Sequence, residues 1–144
     1  MKRFLLSLLC LLTAVFSLSS CGDKGKKVEP VNADEITQVT ALDSPYSSYL
    51  YVIEDKEAIA ELCAIYNSLT YRGLNDGEEA PDDLLVNGKL YDLHFYDAEN
   101  EPAVAFCYIS PRGYLLLDDL DHPWLLTSPF DEDRLMKLLT EYHI

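Results

Sequence analysis

Lys89-Leu90-Tyr91-Asp92-Leu93-His94-Phe95-Tyr96-Asp97 runs through Ala98-Glu99-Asn100-Glu101 into Pro102-Ala103-Val104-Ala105-Phe106-Cys107-Tyr108-Ile109-Ser110, and this stretch decides the fold class. In its first half Tyr91, Leu93 and Phe95 share one side, and Asp92, His94 and Tyr96 share the other. That alternation is the signature of a strand, whose successive side chains point to opposite faces. Asp97 to Asn100 is turn chemistry. Beyond it Val104, Phe106 and Tyr108 oppose Ala103, Ala105, Cys107 and Ile109. Two alternating runs joined by a short polar turn predict an antiparallel hairpin. The small residues of the second set would let a helix pack closely, so a helix is expected over the Ala103, Ala105 and Cys107 face.

Upstream, Ile36 to Leu42 is rich in β-branched residues and reads as a strand, and Tyr49 to Ile53 as another, with Asp43-Ser44-Pro45 turning between them. Asp55 is a good N-cap, and Ile59, Leu62, Cys63, Tyr66 and Leu69 recur at helical spacing. This helix is expected to end near Thr70. Residues 72 to 88 hold Gly73, Asn75-Asp76-Gly77, Pro81 and Asn87-Gly88, a long acidic loop of the kind that carries function. Downstream, Tyr114 to Leu117 is a strand and Trp124 to Leu126 a short edge strand. Ser128 as N-cap and Pro129 at the first helical position open a last helix with Leu135, Leu138, Leu139 and Tyr142 as its apolar stripe. The order β-β-α-β-β-β-α predicts an α+β domain. It is an antiparallel sheet of about five strands with two helices on one face.

The first residues address the chain. Met1-Lys2-Arg3 is a positive opening, and Phe4 to Leu18 is almost wholly apolar and uncharged, too short for a comfortable membrane span but suited to a signal peptide. Leu18-Ser19-Ser20-Cys21 resembles the lipobox of bacterial lipoproteins. That resemblance implies cleavage before Cys21 and diacylation of its thiol. It places the mature chain outside the cytoplasm, anchored by lipid to the cell membrane, or to the outer membrane if the cell has one. Gly22 at the second mature position does not resemble an inner-membrane retention signal. The expected organisation is a signal peptide over 1–20, a lipidated cysteine and flexible tether over 21–34, and one small α+β domain over 35–144.

Charge is uneven along the chain. Residues 1–27 hold five basic residues and one acid; residues 28–144 hold six basic residues and 24 acids. So acidic a domain repels nucleic acid, and no basic groove offers it a site. The tether lysines Lys24, Lys26 and Lys27 suit an anionic membrane surface. Cys10 leaves with the signal and Cys21 takes the lipid, which leaves Cys63 and Cys107. They are the candidate disulfide, and two free buried thiols are the alternative.

Ile53 to Ile59, Tyr91 to Asp97, Tyr108-Ile109-Ser110 and Asp133 to Leu139 together resemble a family of small lipoprotein domains from Gram-positive gut-type bacteria. The resemblance covers most of residues 36–142 and implies a fold; the family brings no assigned activity.

Candidate chemistry is sparse. Asp118, Asp119, Asp121 and His122 are the densest ligand cluster, without the glycine and distal glutamate of a calcium loop. Asp97, Glu99 and Glu101 bracket a turn that favours such residues anyway. Asp92 and His94 share a strand face, but no recognisable nucleophile accompanies them, and Ser110 lies outside any Gly-x-Ser-x-Gly elbow. Neither a metal nor a cofactor is expected, since no phosphate loop, Cys-x-x-Cys or His-Glu-x-x-His occurs. Ten tyrosines, with Tyr49, Tyr51, Tyr96 and Tyr114 expected on outward faces, suit recognition. The expectation is a non-enzymatic surface module that binds a protein, peptide or wall polymer through its sheet face and the 72–88 loop. Its alternatives are a small wall-associated hydrolase using Asp92, His94 or the 118–122 cluster, and an inhibitory lipoprotein occupying another enzyme's site.

Overall fold

The computed structural model describes residues 25–43, 50–80, 89–110, 113–117 and 123–144, with the backbone alone at 107, 109 and 110. Eight strands form one sheet: β1 (Lys26–Lys27), β2 (Ile36–Leu42), β3 (Leu50–Ile53), β4 (Thr70–Arg72), β5 (Lys89–Asp97), β6 (Pro102–Ser110), β7 (Tyr114–Leu117) and β8 (Trp124–Leu126). The helices are α1 (Lys56–Asn67) and α2 (Glu132–Tyr142), and Ala33–Glu35 makes a 3-10 turn. All pairings are antiparallel, in the order β1-β4-β8-β7-β6-β5-β2-β3. The α+β class and antiparallel sheet stand, with eight strands rather than about five.

The hairpin at the centre pairs Leu93 with Phe106 and Tyr91 with Tyr108. Its turn is built by Asp97, whose Oδ1 accepts from the backbone N–H of Glu99 at 2.9 Å and of Glu101 at 3.0 Å. Asn100 takes φ 61° there, a conformation asparagine tolerates. Asp55 caps α1 as expected, its Oδ1 accepting from Glu57 N–H at 3.0 Å and Ala58 N–H at 2.9 Å. Ile59, Leu62, Cys63, Tyr66 and Leu69 are all buried.

The helix covers the other side of β6 from the one its small residues suggested. Tyr66 of α1 lies 5.9 Å from the Phe95 ring and 5.1 Å from the Phe106 ring, and Phe95 and Phe106 stack at 6.1 Å. Burying aromatic rings and pairing them contributes more than the closer approach that alanines permit. Leu135, Leu138 and Leu139 of α2 join the same core. The register pairs position 107 with Asp92 and Leu116, the opposite set from Phe106 and Tyr108.

Three boundaries also differ. Ser128 does not cap α2; its Oγ accepts from Thr70 N–H at 2.9 Å, and Asp131 caps the helix by accepting from Arg134 N–H at 3.0 Å. β8 is no edge strand, because β4 pairs on its outer side. Residues before 35 already take part in the described fold: Lys26 and Lys27 pair with Tyr71 and Thr70, and Val28 is 4 % exposed. A buried valine and a strand ladder hold this segment.

Candidate functional site

The N-terminal segment crosses from one sheet edge to the far half of the sheet as an arm. Val28 N–H donates to the Leu69 carbonyl at 3.3 Å. Three residues on, Asn67 at the end of α1 grips the arm twice: Val31 N–H donates to Asn67 Oδ1 at 2.8 Å, and Asn67 Nδ2 donates to the Val31 carbonyl at 2.8 Å. Asn32 then caps the 3-10 turn, accepting from Asp34 N–H at 3.2 Å and donating to Glu35 Oε1 at 3.0 Å. The chain enters β2 at the buried Ile36.

Between this arm and the start of β6 lies a cleft of about 780 Å³. Glu29, Asn32 and Glu35 stand on the arm side, Pro102 to Ala105 on the sheet side, and Tyr66, Tyr71 and Leu117 line it between them. β7 pairs with β6 from Phe106 onward, so the cleft opens where β6 begins. Among the described lining residues no lysine or arginine balances the two glutamates. An acid-rimmed concavity with apolar and aromatic walls is complementary to positive charge beside apolar groups.

His94 reaches the same cleft. Its Nε2 lies 3.1 Å from Asp92 Oδ1, and its ring stacks on Tyr96 at 6.3 Å. The expected association of Asp92 with His94 is therefore present on the face away from the helices. No serine, threonine or cysteine is among the described residues lining the cleft; its hydroxyls are those of Tyr66 and Tyr71.

The acidic loop after β4 folds back on itself. Arg72 donates from Nη1 to Glu78 Oε2 at 2.6 Å and from Nη2 to Glu78 Oε1 at 2.9 Å, a bidentate clasp. Asn75 N–H donates to Glu78 Oε2 at 2.8 Å. The Arg72 guanidinium, with the Asn75 amide, holds the Glu78 carboxyl down at about 2. Ala80 packs with Tyr114 against Leu90 and Leu116, so this loop covers part of the face opposite the helices. Residues 81–88 lie outside the described residues.

The remaining expected positions scatter. Tyr96 and Tyr114 are half-buried on the face away from the helices, whereas Tyr51 packs against the helix-side core with its ring edge-on to His143. Tyr91 is buried; its hydroxyl donates to Glu132, which also faces Lys89 Nζ at 3.4 Å, and burial followed by Glu132 pushes the phenol well above its usual range. Cys63 is a free buried thiol that burial pushes up to about 11. With position 107 in the other register set, the backbone offers no support for the candidate Cys63–Cys107 bridge, and the Cys107 side chain lies outside the described residues. So do Cys21, Tyr49 and the cluster Asp118, Asp119, Asp121 and His122. Asp97 spends its carboxylate on turn amides, and among the described residues no group of three potential ligands converges on a metal site. No helix among the described residues is long and apolar enough to cross a membrane.

The cleft itself escaped the sequence. Asn67 and Val31 are 36 residues apart, and only an asparagine at the end of an amphipathic helix hinted at a polar task. Comparison with protein families, with curated proteins and with solved structures returned no match to this chain.

Proposed function

We propose that the chain is an extracytoplasmic lipoprotein, anchored through a lipid on Cys21, whose domain binds a cationic segment of a protein or peptide in the cleft between the arm and β6. The observation that carries this reading is the pairing of Glu29 and Glu35 across from Pro102 to Ala105, with no lysine or arginine among the described lining residues. Charge at the rim steers and selects, and the walls formed by Tyr71, Val104 and Leu117 bury the apolar part of the partner. The acidity of the domain extends the same preference over its surface.

The test is calorimetric titration of the domain with lysine-rich peptides interleaved with aromatic residues, beside acidic and neutral peptides of equal length. Saturable binding of the basic set, weakened by salt and lowered roughly two- to fivefold by each of Glu29→Gln and Glu35→Gln, supports the reading. Equal binding of all three sets, or none, refutes it. Replacing Cys21 by serine releases the protein from membranes if the anchor is correct.

A further inference from the structure

We infer that the β1 edge of the sheet is a membrane-contact surface, which seats the domain directly on an anionic lipid bilayer. This rests on the proposed lipid anchor at Cys21. Three observations converge on it. The first is how early the fold begins. Gly25 takes φ 45° beside β4 and Thr127, so closely that a Cβ there would lie 2.4 Å from Thr127 Oγ1 and 3.1 Å from the Tyr71 carbonyl. Lys26 and Lys27 are then laddered to Tyr71 and Thr70, and Val28 is in the core. The anchored chain is gripped from residue 25 on.

The second is reach. Only Gly22, Asp23 and Lys24 separate Cys21 from Gly25. Four residue steps of extended chain span at most about 14 Å. Gly25, immediately before β1, therefore stays within that distance of the acylated residue, and the domain has no room to stand off the surface.

The third is charge. Lys26 and Lys27 are both exposed, on the outermost strand of the sheet. They precede a domain with 24 acids and six bases in residues 28–144, which an anionic surface repels. Two lysines at the tethered edge and net negative charge elsewhere orient the molecule edge down. Near an anionic leaflet each lysine shifts the bound fraction roughly fivefold.

Trp124, the single tryptophan, reports on this edge, since it lies on β8, two strands from β1 and about 10 Å away. The mature chain is coupled through Cys21 to a maleimide-headgroup lipid, and energy transfer from Trp124 to a dansyl-headgroup lipid is measured on phosphatidylcholine vesicles with and without phosphatidylglycerol. The native tether is expected to transfer strongly on both. Inserting 20 Gly/Ser residues between Asp23 and Lys24 is expected to reduce transfer severalfold on neutral vesicles. Phosphatidylglycerol is expected to restore it, and the exposed pair K26E/K27E to remove that restoration, with circular dichroism verifying the fold. Equal transfer for native and lengthened tethers on neutral vesicles overturns the inference, as does a restoration indifferent to K26E/K27E. Failure of the anchor appears separately, as a Cys21→Ser protein that still fractionates with membranes in cells.

Discussion

Replacing Asn67 by alanine removes both hydrogen bonds that hold the arm at Val31, each 2.8 Å long and half-buried. A neutral hydrogen bond contributes about 1 kcal/mol net, and water reaches part of this site, so the loss is about 1–2 kcal/mol. That is a factor of roughly 5–30 in the balance between seated and released arm. Released, the arm withdraws Glu29 and Glu35 from the cleft and uncovers Val28. Native-state hydrogen exchange reads the change directly. The amides of Val31 and Val28, which donate to Asn67 Oδ1 and to the Leu69 carbonyl, are expected to accelerate by that factor. The Ile59 amide, bonded to the Asp55 carbonyl inside α1, is expected to change less. Asn67→Asp keeps an acceptor for Val31 N–H and loses the donor, so it should fall between. Unchanged exchange at Val31, or the same acceleration at Ile59 as at Val31, would refute the claim that Asn67 clamps the arm.

Phe95→Ala empties the aromatic centre beneath Tyr66 and is expected to cost about 3–5 kcal/mol in urea unfolding; a loss under 1 kcal/mol would contradict the packing. Cys63, pushed up to about 11, should resist alkylation at neutral pH until the chain unfolds, when tested with the other cysteines replaced by serine. Its raised value stabilises the fold below the ordinary thiol range, near 9.0, and that contribution is lost as pH rises toward 11. Glu78 has the opposite sign. Held at about 2, its contribution to the loop clasp is present above 4.5 and lost as pH falls toward 2, followed by the Asn75 amide resonance; Arg72→Ala should move that transition up toward 4.5.

Much of the fold was legible because its signals are local. Asp55 and the spacing of Ile59, Leu62, Cys63 and Tyr66 specify α1 within a dozen residues, and the hairpin of β5 and β6 carries its own alternation and turn. β1 and β4 were not legible. Two lysines and Thr70-Tyr71-Arg72 show no period, and they become strands only by pairing with each other and with β8. Ser128-Pro129 imitates a helix start, yet the Ser128 hydroxyl serves Thr70 N–H across 58 residues of sequence. The covered side of β6 was misjudged because small residues signal close approach without saying that Phe106 and Tyr108 have more to bury. The paired face of Asp92 and His94 was visible as alternation. The cleft was not, because its walls come from the arm, α1, β4, β6 and β7, and no local pattern spans them.

Site-directed photo-crosslinking in intact cells tests the central claim most directly. Benzoylphenylalanine is placed at Ala103, on the sheet side of the cleft, and separately at Ala60, exposed on α1. A discrete adduct from position 103 and none from 60, lost in Glu29→Gln/Glu35→Gln, is the predicted result. No adduct from 103, or the same adducts from both positions, would contradict a binding cleft between the arm and β6.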